Sequence, residues 1–339
     1  MTVSTLTAED LSARLGRIMP AISPDAVGIA NVERLSGGAV NEIWSFDLLR
    51  RRGGAIPLVL RRAAGGVRTT AGAIDVDTEA RLIEIAADHG VPVALVRYRL
   101  SADEGLGQGF ISDRLAGETL GGRIAKSPRM AVARKGLAYR CGEVLAMIHA
   151  ISPPADLRLE RRMAVTALQD LRARDLADGR PRPVFILALR WLADHLPTDE
   201  AEALIHGDFR NGNIIVAEDG LRAVLDWEGA HISDPMADLA YLCVNSWRFG
   251  QIDLPVGGFG ELADLLAGYA AAGGRADLAR LRYWEVLGTL RWGMICTSRV
   301  ASFAGGGGVS VDEAMIARRA SETEIDLLAL ISVRAVPVT

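Results

Sequence analysis

The chain has 339 residues, half of them apolar, enough for two domains or one two-lobed unit around a sizeable core. With 42 acidic against 38 basic residues and a net charge of −4, it has no general attraction for nucleic acid or anionic membrane, so the expected partners are small molecules. Cys141, Cys243 and Cys296 are widely spaced without a Cys-x-x-Cys pair, which argues against a disulfide framework or a zinc site. No apolar run approaches the roughly 18 residues of a membrane span, and Met1-Thr2-Val3-Ser4 lacks the pattern of a signal peptide. A cytoplasmic protein with no membrane partner is expected.

Residues 7 to 19 predict an amphipathic helix, with Thr7 as N-cap, Glu9 and Asp10 in the first turn, and Leu11, Leu15 and Ile18 on one face. Two strands follow, Val27 to Leu35 and Glu42 to Leu48, joined by Ser36-Gly37-Gly38-Ala39-Val40-Asn41. The glycine pair leaves room at the hairpin tip for backbone N–H groups to come close to a ligand. Arg50-Arg51-Arg52-Gly53-Gly54 reads as a solvated basic turn before a strand from Pro57 to Arg62, and Gly65 to Gly72 as a loop. From Asp75 to His89 the period is helical: Val76, Ala80, Ile83 and Ala87 share a face and Gly90 ends it. A strand near Leu95 to Leu100 and a strand and turn from Phe110 to Gly117 come next. Helices are expected over 131–151, stopped by Pro153-Pro154, and over 163–178 and 184–196. His149 reads as a packed, hydrogen-bonded histidine, and His89 and His195 as favourable groups at helix C-termini.

The densest signal is Leu204 to Val216, echoed at Leu225-Asp226-Trp227-Glu228. Two apolar runs bracket a polar turn with a carboxylate, Asp208, and, five positions on, an amide, Asn213. A second acid, Asp226, ends the next strand, which begins after the turn Glu218-Asp219-Gly220. Turn chemistry alone asks for neither His206 nor Asp226. The spacing Asp-x-x-x-x-Asn suits phosphoryl transfer, in which the carboxylate accepts a hydroxyl proton and the amide ligates a metal.

With His206-Gly207-Asp208 where protein kinases have His-Arg-Asp, the chain resembles the aminoglycoside phosphotransferase and choline kinase superfamily. The resemblance implies an α+β, two-lobed protein-kinase-like fold: a small β-rich nucleotide lobe over 1–111, a larger mainly helical lobe over 112–339, and a hinge at about 110–117. It implies ATP and Mg²⁺ as cofactors and a small-molecule hydroxyl as acceptor. Asp208 becomes the proton acceptor, and Asn213 and Asp226 the metal ligands. Arg210 either neutralises developing charge or covers the loop. His206 is expected to bond the backbone of the Asp226 turn rather than act as a base, and Trp227 to pack. Glu228 seconds the metal, bonds substrate, or is an ordinary strand-end acid. Gly37, Gly38 and Asn41 would cover the phosphates. Backbone groups of Ser112, Asp113 and Arg114 would meet the adenine edge, with Phe110 lining its pocket. Arg61 stands where the family keeps a strand lysine, with Glu79 as its helix partner and Glu84 competing from another face. Its planar fork can hold carboxylate and phosphate oxygens, although it is bulkier than an ammonium. The Leu60-Arg61-Arg62 run resembles the kinase-like domains fused to acyl-CoA dehydrogenases. The lost lysine also keeps open a nucleotide-binding pseudoenzyme or interaction module.

Beyond the site, Ser233 or Asp234 caps a helix with Pro235 at its first position, and Asp238 either steadies that N-terminus or bonds the loop. Asp234-Pro235 follows Asp226 too closely for an activation segment, which disfavours a protein kinase. Later helices are expected over 261–271, 276–298 and 311–333. A polycationic acceptor calls for an acidic wall. Between Trp247 and Gly308, however, Asp253, Glu261, Asp264, Asp277 and Glu285 do not outnumber Arg248, Arg275, Arg280, Arg282, Arg291 and Arg299. Trp247, Phe249, Tyr269, Tyr283, Trp284, Trp292 and Met294 either line an apolar acceptor pocket or form core. The balance favours a hydroxylated metabolite or an acyl thioester over an aminoglycoside.

Overall fold

A computed structural model describes residues 6–35, 41–63, 72–304 and 311–332. The expected glycine tip at Gly37-Gly38 and nearly all of the Gly65–Gly72 loop lie outside them. The first helix, α1 (Ala8–Ile22), starts at Thr7, whose side chain accepts from the Asp10 amide while Asp10 bonds back to Thr7. This capping box satisfies donors that the first helical turn would otherwise leave open. Leu11, Leu15 and Ile18 are its buried face, as the spacing predicts.

Five antiparallel strands follow: β1 (Ala26–Leu35), β2 (Asn41–Arg50), β3 (Ile56–Ala63), β4 (Val96–Arg99) and β5 (Gly109–Asp113), in the order β1-β2-β3-β5-β4. Alternation along the strands sends Trp44, Phe46, Leu48, Leu58 and Leu60 onto α1, forming a small core of their own. The opposite face carries the site. Arg61 is paired with Ile43 on one side and Phe110 on the other, so these three side chains lie abreast on that face. Helix α2 (Val76–Asp88), capped by Asp75, is inserted between β3 and β4. Its Val76, Ala80, Ile83 and Ala86 pack in the large second core rather than with α1.

That second core is helical: α3 (Gly121–Lys126), α4 (Ala131–His149), α5 (Ala164–Asp178), α6 (Pro183–Asp194), α7 (Met236–Cys243), α8 (Leu262–Ala271), α9 (Leu278–Ala304), α10 (Val311–Ala317) and α11 (Ala320–Ser332). Helices α4 and α8 cross with backbones nearly touching: a Cβ on Gly142 would fall 2.1 Å from the Leu265 carbonyl oxygen, and one on Gly268 only 1.9 Å from that of Tyr139. The helix expected over 311–333 is instead two, broken where Arg319 turns in to donate to the Ser246 carbonyl oxygen. Helix α7 starts at Met236, one residue later than expected, and the Asp234 carboxylate still caps it by accepting from the Met236 amide at 3.0 Å. Among the described residues no helix is long and apolar enough to cross a membrane.

Four short strands hold the Asp208 loop: β6 (Ala203–Ile205), β7 (Ile214–Ala217), β8 (Gly220–Val224) and β9 (His231–Ser233). The strands flanking the loop do not pair with each other. β6 pairs with β9, and β7 with β8, so the loop is suspended between two separate ribbons. Val224 donates to the Pro92 carbonyl oxygen and Ile74 to that of Glu228, tying the ribbons to the segments around α2.

Candidate active site

The loop is held from beneath by one buried carboxylate. Asp238, in the first turn of α7, accepts from the amides of His206 (2.7 Å) and Gly207 (2.8 Å) and lies 3.3 Å from His149 Nε2. Burial would raise its pKa, but the hydrogen bond and charge of His149 and the amide of His206 outweigh burial and lower it. Of the two uses open to Asp238 in the sequence, bonding the loop backbone is the one found. His149 itself is buried and also bonds Tyr269 Oη at 2.9 Å, as a packed histidine should.

His206 acts from the other side. Its Nε2 lies 2.9 Å from the Leu225 carbonyl oxygen, and its Nδ1 accepts from the Asp208 amide at 3.3 Å. Since a carbonyl oxygen only accepts, this network assigns the proton to Nε2 and leaves a neutral imidazole whose two nitrogens are both engaged. It joins the Asp208 loop to the Asp226 turn and has no free nitrogen with which to act as a base. Gly207 adopts φ 78°, and a Cβ there would meet the Gly229 carbonyl oxygen at 2.2 Å, so a side chain is excluded at this turn.

Both oxygens of the Asp208 carboxylate are oriented: Arg210 Nε donates to Oδ1 at 3.2 Å and Asn213 Nδ2 to Oδ2 at 2.6 Å. The same Asn213 nitrogen donates to the Asp208 main-chain oxygen, which commits the amide nitrogen to the loop and leaves Oδ1 of Asn213 for a cation. Arg210 also stacks over the Trp247 ring at 4.7 Å. Burial would lower its pKa, yet Asp208 beside it raises it, so the guanidinium stays charged.

Across the cleft, Arg61 meets three carboxylates: Glu79 at 3.0 Å, Asp226 at 2.9 Å and Glu228 at 2.7 Å. Burial works against its charge, and the combined pull of Glu79, Asp226 and Glu228 more than offsets that. The expected Arg61–Glu79 pair is present, while Glu84 lies 3.7 Å from Arg99. Asp226 adopts a left-handed conformation, φ 61°, that turns its carboxylate out of the strand. Glu228, left with three readings in the sequence, faces Arg61 and Asn41, whose Nδ2 donates to it at 3.3 Å.

Of these groups Arg61, Glu79, Asn213 and Asp226 border a cavity of about 450 Å³ between the five-stranded sheet and the loop, which Ile43, Phe110 and Leu115 also line. Ser112, Asp113 and Arg114 line it too. The amides of Asp113 and Arg114 are already spent on the carbonyl oxygens of Leu95 and Pro57, and their side chains pair with Arg97 and Asp47. Ser112 is paired within the sheet on both sides, and Leu115 is the next amide along the stretch.

The late aromatic residues mostly proved to be core. Tyr269, Tyr283, Trp284 and Met294 are buried in the large cluster. Trp247 and Trp292 instead join Tyr241 in a smaller cluster beside Arg210. There the sequence reading missed Tyr241 and Arg291, whose guanidinium donates to the Gly207 carbonyl oxygen at 3.1 Å and lies 5.0 Å from the Tyr241 ring. The available signal was a lone charge in the apolar run Val286 to Met294.

A β-rich lobe and a helical body closing on a loop with this geometry define the fold of protein-kinase-like phosphotransferases. The structure superposes on that of a Ralstonia eutropha protein described as an aminoglycoside phosphotransferase with a TM-score of 0.72 and 19% identity, covering 96% of this chain and 98% of that one. It also superposes on a choline/ethanolamine kinase family protein from Mesorhizobium loti with a TM-score of 0.62 and 20% identity, covering 96% of each. The chain belongs to the phosphotransferase enzyme family, whose profile matches residues 31–284. In sequence it is similar to acyl-CoA dehydrogenase family member 11 of Gallus gallus, 29% identical over 68% of this chain and 30% of that protein. It is also similar to family member 10 of Mus musculus, 30% identical over 55% of this chain and 18% of that protein. The matches thus span less than a third of these relatives' length.

Proposed function

We propose that the chain transfers the γ-phosphate of ATP to a hydroxyl of a small molecule, a hydroxylated metabolite or an acyl thioester rather than an aminoglycoside. The observation that carries this reading is the convergence of Asp208, Asn213 and Asp226 at the mouth of a cleft whose other wall bears Arg61. Phosphoryl transfer needs an in-line nucleophile and positive charge around the transferred group more than covalent help. Asp208, with each oxygen held by a single donor, keeps lone pairs to orient an acceptor hydroxyl and take its proton. Asn213 Oδ1 and Asp226 are hard oxygen donors that fit Mg²⁺, which supplies charge neutralisation on the phosphates when bound. Arg61, steadied by Glu79, would reach phosphate oxygens, and Asn41, whose buried Oδ1 lacks a partner, would close over them. Backbone groups of the Ser112 to Leu115 stretch, which lines the cavity, would meet the purine edge. Structures similar to this one include a spectinomycin phosphotransferase with ADP and an amicoumacin kinase with AMP-PNP, which supports ATP as donor. The acyl-thioester option is favoured by the relatives named as acyl-CoA dehydrogenase family members.

The test is transfer of label from γ-labelled ATP across a library of hydroxylated metabolites, acyl thioesters and aminoglycosides. Asp208→Asn is expected to lower kcat by about 10²–10⁴-fold, the range for a positioned general base, with ATP·Mg²⁺ binding retained. ATP binding with no Asp208-dependent product on any acceptor would establish the rival reading, a nucleotide-binding pseudoenzyme.

A further inference from the structure

We infer that Arg248 is a positioning residue: by clamping the segment from Trp247 to Gly257 onto α7 and α9, it fixes where the Asp208 loop stands. The inference rests on the phosphotransfer reading and adds to it a residue that does not line the cavity.

Two consecutive residues of the loop rest on this segment. Arg210, which orients the Asp208 carboxylate, lies over the Trp247 ring at 4.7 Å. Asn211 is fully buried, and its Nδ2 donates to the carbonyl oxygens of Trp247 at 2.8 Å and Gly257 at 2.7 Å. One amide thus joins the two ends of the segment, and a shift of either end pulls on the chain between Asp208 and Asn213.

The segment needs an outside hold. Phe249 adopts φ 49°, in the left-handed region that a bulky side chain rarely occupies. Such a backbone costs free energy and persists only where its surroundings over-determine it. On one side the Phe249 ring is seated on α3, where a Cβ on Gly121 would fall 2.6 Å from it. Arg248 supplies the other side. Its Nε and Nη2 donate to the Cys243 carbonyl oxygen at the end of α7, at 3.2 and 2.7 Å. Its Nη1 donates to the Ile252 carbonyl oxygen at 3.3 Å, and Nη2 to Glu285 Oε1 on α9 at 3.3 Å. A planar fork reaches these three places at once, which a compact ammonium cannot.

The charge of the α9 partner depends on pH. Burial, helped by Asp326 on α11, pushes Glu285 up to about 7 against the pull of Arg248 and Arg282, and the Cys243 thiol beside it is kept neutral by burial. Below that pH the carboxyl is protonated and its attraction for Arg248 is lost, so the clamp is tighter on the alkaline side.

The experiment uses the full chain. Hydrogen exchange of the amides over 206–216 reads the loop without turnover, and label transfer from γ-labelled ATP to the acceptor library reads chemistry. Arg248→Met combined with Glu285→Gln removes the pair without leaving a lone buried charge. It is expected to lower protection of these amides at least about tenfold relative to those of α4, the scale of one charged hydrogen bond. A similar fall in kcat is expected, with KM for ATP unchanged. Arg248→Lys should fall between this variant and the wild type. Glu285→Gln alone should hold kcat at its acid value and abolish the rise that the wild type shows between about pH 6 and 8. Unchanged protection in the folded double variant, a loss shared equally by α4, or a rise of kcat with pH that survives Glu285→Gln overturns the inference. Protection lost as expected, with no Asp208-dependent product from any chain, would instead overturn the phosphotransfer reading and leave the clamp standing.

Discussion

Arg61 is the residue at which chemistry and stability meet. Its fork holds Glu79, which is only 1% exposed, together with Asp226 and Glu228. Removing one partner of a buried ion pair leaves an uncompensated charge and typically costs about 3–5 kcal/mol. Arg61→Met is therefore expected to lower unfolding free energy by about that amount in denaturant titration, and the double variant with Glu79→Gln should recover much of it. Arg61→Lys should keep the fold better but weaken ATP binding, because an ammonium cannot span Glu79 and the metal-side acids at once. Which of these residues come together was largely legible: Asn213 meets Asp208 and Arg61 meets Glu79, as their spacing and the resemblance imply. Arg291 and Tyr241 were not, because an arginine and a tyrosine within helices carry no local mark of the loop they meet in space. The three-carboxylate grouping around Arg61 was likewise invisible, since it joins strand, helix and turn far apart in sequence.

At the scale of elements, the helical body depends on close approach as much as on apolar burial. Helices α4 and α8 meet at Gly142 and Gly268, where an added methyl would overlap backbone that cannot step aside. Overpacking of this kind typically costs about 1–3 kcal/mol. Gly268→Ala should lose about that much stability in chemical denaturation, whereas Gly136→Ala, on the exposed side of α4 with nothing within 4 Å of an added Cβ, should matter far less. Helices such as α1 and α2 could be read from their period and end signals, Thr7 and Gly90, because those signals are local. The break between α10 and α11 could not, for no glycine or proline marks it; Arg319 reaching the Ser246 carbonyl oxygen does. The pairing of β6 with β9 was equally hidden, as short strands are completed by partners that their own sequence does not name.

For the whole molecule, acid is expected to act through a buried imidazole. Burial pushes His231 from an ordinary 6.5 down to about 4, reinforced by Arg162 and Arg291. Its stabilisation is complete above pH 6.5 and is lost as pH falls through that window toward 4, because the unfolded chain takes up the proton first. The full loss approaches about 3 kcal/mol. Unfolding free energies measured at pH 7.5 and pH 4.5 should show this decline in the wild type, and His231→Asn should flatten it. Asp238, with its lowered pKa, holds the Asp208 loop through this window and yields only at still lower pH.

The clasp of Arg61 on Asp226 bears on the sequence of events in a catalytic cycle. A free divalent ion arriving alone would have to compete with a guanidinium already in place, whereas a triphosphate brings the negative charge that draws that guanidinium away. Under the proposed phosphotransfer, nucleotide and metal would then be favoured to enter together, the carboxylate being released to its ligand when donor phosphates draw Arg61 away. In the structure the Arg61 guanidinium holds Asp226 and Glu228 together, and on the proposed reading an arginine at this position would couple arrival of the metal to that of the nucleotide.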